Sequence, residues 1–178
     1  MSELRTILYD PQSFNTQRCV FTIPKGMNVV ASKIRVCDFS ISNANGDQIY
    51  LNHSGVYSLL SKVSILSLAG TEIDRLSNME MMAIKLMHME NATQASVNRQ
   101  LHQNMCNSIF LNNLGQASLT EQYGQEDGSK MSIIWDISMM LSYLQRRTVI
   151  SEGFTILLEF ASSDVVGFNY TFDKPPAL

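Results

Sequence analysis

The stretch Tyr57–Met82, YSLLSKVSILSLAGTEIDRLSNMEMM, decides the fold. It begins with helical spacing, becomes a strand, reverses once and turns helical again. Ser54 stands where a cap would, ahead of Val56, Leu59 and Leu60 on one helical face. The strand that follows, Val63 to Leu68, does not alternate cleanly. Val63 and Ile65 share a face with Ser67, while Leu66 and Leu68 share the other with Ser64. Two arrangements fit: both faces are largely covered, or a bulge near Ile65-Leu66 turns all four aliphatics inward and both serines outward. No charge falls between Val63 and Gly70, so the strand is expected to meet protein on both sides. Ala69-Gly70 reads as a tight reversal, and Thr71, Ile73 and Arg75 continue on the return strand. Ser77-Asn-Met-Glu80 is a capping box, after which Met79, Met82, Leu86 and Met89 recur at helical spacing.

Strands also dominate on either side of this stretch. Residues 1–17 read as an N-terminal arm with one apolar patch, Ile7-Leu-Tyr9, and residues 18–178 as one domain. Strands are expected at 18–23, 28–42, 62–68, 71–76, 130–136, 154–160 and 166–172. The second of these changes phase: Ile34 and Val36 alternate one way, then Cys37, Phe39 and Ile41 the other, as a bulge near Val36-Cys37 would cause. Ser138 is placed to cap a helix carrying Met139 to Leu144, which closes on Arg146-Arg147 at its negative end. Pro175-Pro176 is expected to stop any further strand. Residues 91–130 form a long polar connection of the kind that serves function or an interface. Helices inserted among strands, without regular alternation, oppose a doubly wound α/β fold and favour a mainly β sandwich with short inserted helices.

Composition bears on function. The chain has 178 residues, of which 45% are hydrophobic but only 16% charged, against the usual quarter or so. Ser, Asn, Gln and Met replace the missing charge, which suits a surface buried against neighbours. Net charge is −3 and Arg146-Arg147 is the one adjacent basic pair, so direct nucleic-acid binding is disfavoured. Cys19, Cys37 and Cys106 are too scattered for a zinc knuckle or a disulfide framework and read as free thiols. Asn-X-Ser/Thr triplets at Asn52, Asn91 and Asn169 read as chance in so Asn- and Ser-rich a chain. The first ten residues lack a leader's basic-then-apolar layout, and no apolar run reaches membrane-spanning length. A protein made in the cytoplasm, without membrane insertion, is the expectation.

Enzymatic signatures are missing. His53, His88 and His102 fall into no metal-binding spacing, which counts against a cupin-like metalloenzyme. Glu72 with Asp74 and Glu126 with Asp127 are close acids in turns and polar loops, where solvation is the ordinary explanation. No phosphate loop, nucleophile elbow or dinucleotide fingerprint occurs. The reading is therefore not an enzyme, with no catalytic residue, no cofactor and no metal. Interface candidates are Ile7 and Tyr9 on the arm, Ser64 and Ser67 on the uncharged strand, Met81 off the helical stripe, and Arg146 and Arg147. The competing class is a β-sandwich module that binds carbohydrate or a receptor, although the exposed aromatics it would want (Tyr123, Tyr9) are sparse.

Three stretches carry a family resemblance. Phe21–Val36, FTIPKGMNVVASKIRV, resembles a first inner strand, turn and second strand. Gly55–Leu76, GVYSLLSKVSILSLAGTEIDRL, is similar to a short helix leading into a hairpin. Trp135–Phe160, WDISMMLSYLQRRTVISEGFTILLEF, resembles a strand, inserted helix and next strand. Their order resembles jelly-roll capsid proteins of double-stranded DNA viruses, the lineage of adenovirus-like, virophage-like and nucleocytoplasmic large DNA viruses. The resemblance implies an antiparallel jelly-roll β-sandwich spanning 18–178. It also implies a penton or minor capsid protein in the virion shell, partnered by copies of itself as a trimer or pentamer and by a major capsid protein. A complete jelly roll has eight strands where seven are counted, so the arm near Ile7–Tyr9, a partner, or further chain supplies the eighth. On this reading Met81→Glu leaves the fold intact and weakens assembly. Unchanged assembly of the variant, read by sizing with light scattering, removes Met81 from the interface.

Overall fold

The computed structural model describes residues 5–45, 59–77, 130–139, 141–166 and 169–178. They are mainly β, in antiparallel sheets with a few short helices. In chain order the strands are β1 (Ser13–Phe14), β2 (Arg18–Ile23), β3 (Val29–Val30), β4 (Val36–Asn43), β5 (Leu60–Leu66), β6 (Glu72–Ser77), β7 (Lys130–Trp135), β8 (Val149–Ile150), β9 (Phe154–Phe160) and β10 (Tyr170–Lys174). Two helical turns interrupt them, α1 (Ser142–Gln145) and α2 (Ser163–Val166). The first sheet has the order β1-β2-β9-β5-β6, the second β10-β4-β7, and β3 pairs with β8 alone.

Period-two burial makes the inner face of the first sheet. Cys19, Phe21 and Ile23 of β2 are buried, as are Phe154, Ile156, Leu158 and Phe160 of β9 and Val63 and Ile65 of β5. Cross-strand register aligns them, Phe21 with Ile156 and Val63 with Leu158. The second sheet answers with Val36, Phe39, Ile41 and Trp135. The layers meet in an aromatic seam. Phe172 of β10 lies 4.6 Å from Phe160 and 5.3 Å from Phe14, and Trp135 lies 4.6 Å from Phe39 and 6.1 Å from Phe160, ring centre to ring centre. Burial raises the Cys19 thiol to about 12, so it is an inert core group at neutral pH.

Strands β2 and β9 occupy the ranges expected of them, while other segments differ for identifiable reasons. The strand expected over 28–42 is two strands joined by a 3-10 turn at Ala31–Lys33. Ala31 is fully buried and its N–H donates to the Thr148 carbonyl at 3.1 Å, which turns β3 out to pair with β8. A bulge does follow: Val36 pairs with Trp135 and Phe39 with Ile133, leaving one extra residue on β4. In the β5–β6 hairpin the extra residue sits on the return strand, because Ile65 pairs with Asp74 and Leu66 with Glu72, skipping Ile73.

The single helix expected after Ser138 is instead a 3-10 turn at Ile137–Met139 followed by α1. Ser138 does not cap it; its hydroxyl donates to Asp136 and to the Ser32 carbonyl. The strand expected over 166–172 starts later, because the buried Val166 belongs to α2, whose Val165 and Val166 N–H groups reach back to the Ser162 carbonyl. β10 ends at Lys174, ahead of Pro175-Pro176 as expected, with an isolated bridge beyond them. Lys174 pairs with Ser40 and Ala177 with Cys37, so the same register resumes beyond the prolines.

The arm closes one side of the molecule. Tyr9 and Leu178 exchange backbone hydrogen bonds at 2.8 and 2.9 Å, which extends the second sheet past Ala177. A few residues on, the Gln12 N–H donates to the Val20 carbonyl and β1 pairs with β2, edging the first sheet. The helix expected from Ser54, the Met79–Met89 helix and nearly all of the 91–130 connection lie outside the described residues.

With Ile65 fully buried between the layers, Ile65→Asp places an unpaired charge in the core, costing several kcal/mol. The variant is expected to be unfolded by circular dichroism. A soluble product melting cooperatively near the parent temperature would contradict the burial of this face.

Candidate assembly surfaces

The outer face of the first sheet is a grid set by register. Across it run the rows Arg18–Glu159–Lys62–Ser77, Val20–Leu157–Ser64–Arg75 and Thr22–Thr155–Leu66–Glu72. Ser64 was expected to meet a neighbour, yet it is fully buried within its own chain. Its hydroxyl donates to Glu72 at 3.3 Å, and the Glu72 carboxylate pairs with Lys62 at 3.2 Å and with Arg75 at 3.6 Å. Long side chains from flanking positions thus roof the serine. The run from Val63 to Gly70 is uncharged because its charged cover is carried by β6 and by Lys62, the residue just before it. The hydrogen bond from Lys62 is the largest cause holding the Glu72 carboxyl below the ordinary glutamate value of 4.5.

Ser67 is half-buried and closes the hairpin turn. Its N–H donates to the Thr71 carbonyl at 2.8 Å and its hydroxyl accepts the Thr71 N–H at 3.1 Å. Beside this turn Gly153, at φ 75°, comes so near that a Cβ there would stand 2.7 Å from the Lys25 nitrogen and 2.8 Å from Leu68 Cδ1. Three loops therefore meet at this end of the sheet, with Leu68 left 49% exposed.

Arg146 and Arg147 follow α1 and both are exposed. Arg147 is engaged at home: its guanidinium meets Glu152 at 2.8 Å and lies 5.0 Å from the centre of the Tyr143 ring. The Tyr143 hydroxyl donates to the same Glu152 oxygen at 2.8 Å. That bond is the largest cause lowering the Glu152 carboxyl, while partial burial pushes the Tyr143 phenol up. The Tyr143 N–H donates to Asp74 at 2.8 Å, which ties α1 to the edge strand β6. Asp74 and Glu72 thus have separate structural partners, and their spacing builds no acid–base pair.

On the arm Tyr9 is half-buried, its hydroxyl donating to the Thr22 carbonyl at 2.7 Å. Ile7 is 62% and Leu8 57% exposed, two adjacent aliphatics pointing to opposite sides of an extended segment without cover from either. Met81 lies outside the described residues. Sequence reasoning missed the Asp136 cluster, where a nearly buried carboxylate accepts the Ser138 hydroxyl and meets Arg35 at 3.3 Å. Its bonds tie β7 to the turn after β3, and the signal was only the Asp-Ile-Ser spacing read as a helix cap.

Among the described residues, no three His, Cys, Asp or Glu side chains gather as a metal would require. The histidines at 53, 88 and 102 lie outside them. No described helix is long and apolar enough to cross a membrane. The geometry offers strand edges, an exposed apolar arm and a patterned sheet face.

Glu72 and Glu152 are both held below 4.5 in the fold, so their contribution to stability is complete above that value and is lost as pH falls through the lowered folded-state values. Melting temperature is expected to drop on acidification below about pH 4.5, and less steeply in Glu72→Gln. Identical acid limbs for parent and variant would remove Glu72 from this linkage.

Comparison with models of known families and with curated proteins finds no match to this chain.

Proposed function

We propose that this protein is a structural component of a viral shell, a jelly-roll penton or minor capsid protein of the double-stranded DNA virus lineage. It would be made in the host cytoplasm and built into the virion by contacts with copies of itself and with a major capsid protein. The observation that carries the reading is the nesting of strand pairs. A jelly roll is a long antiparallel hairpin rolled on itself, so early strands pair with late ones, and a late strand lies between the first and third. Here β2 pairs with β9 and, stepping inward along the chain, β3 pairs with β8 and β4 with β7, while β9 lies between β2 and β5. β10 adds to the far side of β4, outside the nest.

The surface chemistry supports a scaffold. The polar clusters described above are saturated by their own partners: Lys62 with Glu72, Arg147 with Glu152, Asp136 with Arg35. Buried side-chain polar atoms among the described residues all have a hydrogen-bond partner, as a rigid building block requires. The exposed apolar residues Ile7, Leu8, Leu68 and Val149 lie instead on the arm and at loops and short strands, where neighbours in a shell would meet them. Arg146, Ile7 and Tyr9 are the interface residues this reading retains, with Arg147 contributing through its pair with Glu152.

Light scattering on a sizing column tests it. Masses of three or five times the 20.0 kDa chain are expected for a ring-forming shell component. A 20.0 kDa monomer that binds an immobilised glycan array would instead favour a carbohydrate-recognition module.

A further inference from the structure

We propose that the outer face of the five-stranded sheet docks a second copy of this chain, face to face, about a two-fold axis parallel to the strands and running between β5 and β9. The contact goes beyond the shell reading and stands independently of it.

The face is built for such a contact in its centre. Val20, Thr22, Leu66, Thr155 and Leu157 are half-buried. They form a neutral strip two strand-rows deep, carrying three aliphatic side chains and two threonines. The Thr22 hydroxyl donates to Gln12 at 2.5 Å and lies 3.3 Å from the Thr155 hydroxyl, so the strip asks little of a partner in hydrogen bonds.

Charge identifies the occupant. Lys62 and Glu159 are cross-strand neighbours on either side of the proposed axis. Their own contact is long, 3.8 Å, and both stay partly exposed, at 26% and 42%. Rotation about the axis exchanges β5 with β9. It lays Lys62, already paired with Glu72 of its own chain at 3.2 Å, over the partner's Glu159, and Glu159 over the partner's Lys62, so that each meets an opposite charge across the contact. The same rotation sets Leu66 against the partner's Thr155 and Leu157 against the roofed Ser64 of the partner. It also sets Thr22 against Glu72 of the partner and Val20 against Arg75 of the partner. Opposite charges meet and like charges do not, which is the self-complementarity that an isologous contact requires. An unrelated partner would have to reproduce this pattern, whereas a second copy carries it already.

The test is rescue in trans. Lys62→Glu leaves glutamates at both 62 and 159, and Glu159→Lys leaves lysines at both. Each variant alone is expected to self-associate about tenfold or more weakly than the parent in sedimentation equilibrium, because like charges now face each other twice. Mixed in equal amounts, the two are expected to form a heterodimer near the parent's affinity. A pair internal to one chain cannot be rescued by another molecule. Because three glutamates around position 62 strain the fold, Leu157→Lys serves as a second variant. It is expected to abolish pairing at an unchanged melting temperature. The proposal is overturned by a mixture that associates no better than its components, by a parent showing no two-fold species, or by Leu157→Lys pairing as the parent does. Rings of three or five unaffected by Leu157→Lys would overturn the pair and leave the shell reading standing. Rescued pairs without rings would do the reverse.

Discussion

The structure depends on the aromatic seam between its two main sheets. Phe160 sits at the middle of it, touching Phe14, Trp135 and Phe172, and through Phe172 the contact reaches Phe39 and Tyr170. These rings come from five strands spread from residue 14 to residue 172, so nothing local along the chain can assemble them. Each favourable ring pair adds roughly 0.5–1.5 kcal/mol beyond its buried area. The larger effect is geometric. Tilted and edge-on rings fill the interlayer gap only when β4, β7, β9 and β10 hold their registers, so the seam and the ladders select each other. Tyr170, at its margin, shows the cost of that dry interior: its hydroxyl must donate to the Ala161 carbonyl at 2.6 Å, and burial raises the phenol to about 12.

That dependence explains which parts of the fold were legible in the sequence. Strands β2 and β9 pair with each other and bury one face cleanly, so their period-two pattern is undisturbed and their limits were readable. The run 28–42 was misread because two events were folded into one phase change, a 3-10 turn at Ala31 and a bulge after Val36. The turn is dictated by the carbonyl of Thr148, more than a hundred residues away, and leaves no local mark beyond the small Ala-Ser pair. Strand β10 began late for the opposite reason. Its helical signal was present in Ser162-Ser-Asp164, the residue types that start helices, but the alternation of Val166, Phe168, Tyr170 and Phe172 outweighed it.

The surfaces were less legible, and the cause is physical. A residue's neighbours along a strand do not decide what covers it; its neighbours across the sheet do. Ser64 reads as a serine covered by a neighbouring subunit, yet Lys62 of its own strand leans over it with Glu72 and Arg75, whose positions become adjacent only through pairing. Arg147 looked like a helix-end charge and is held by Tyr143 and Glu152. Ile7, an interface candidate on the arm, is 62% exposed, because the arm there has no cross-strand partner among the described residues to hide it.

The arm also determines which sides of the molecule remain available. An antiparallel two-sheet body has open edges wherever its outer strands end, and open edges pair indiscriminately. On the side of β2 and β10 the arm occupies both: β1 completes the first sheet and Tyr9, through Leu178, extends the second. The arm, bonded to both sheets, joins the layers there by backbone hydrogen bonds. Across the molecule β6 is protected by different means, a bulge at Ile73 and the tie from Asp74 to α1. With both of these edges occupied or tied, ordered association is steered away from indiscriminate strand addition there and toward side-chain contacts. Side-chain contacts carry the specificity that a closed assembly demands, since register and charge must match before apolar area counts.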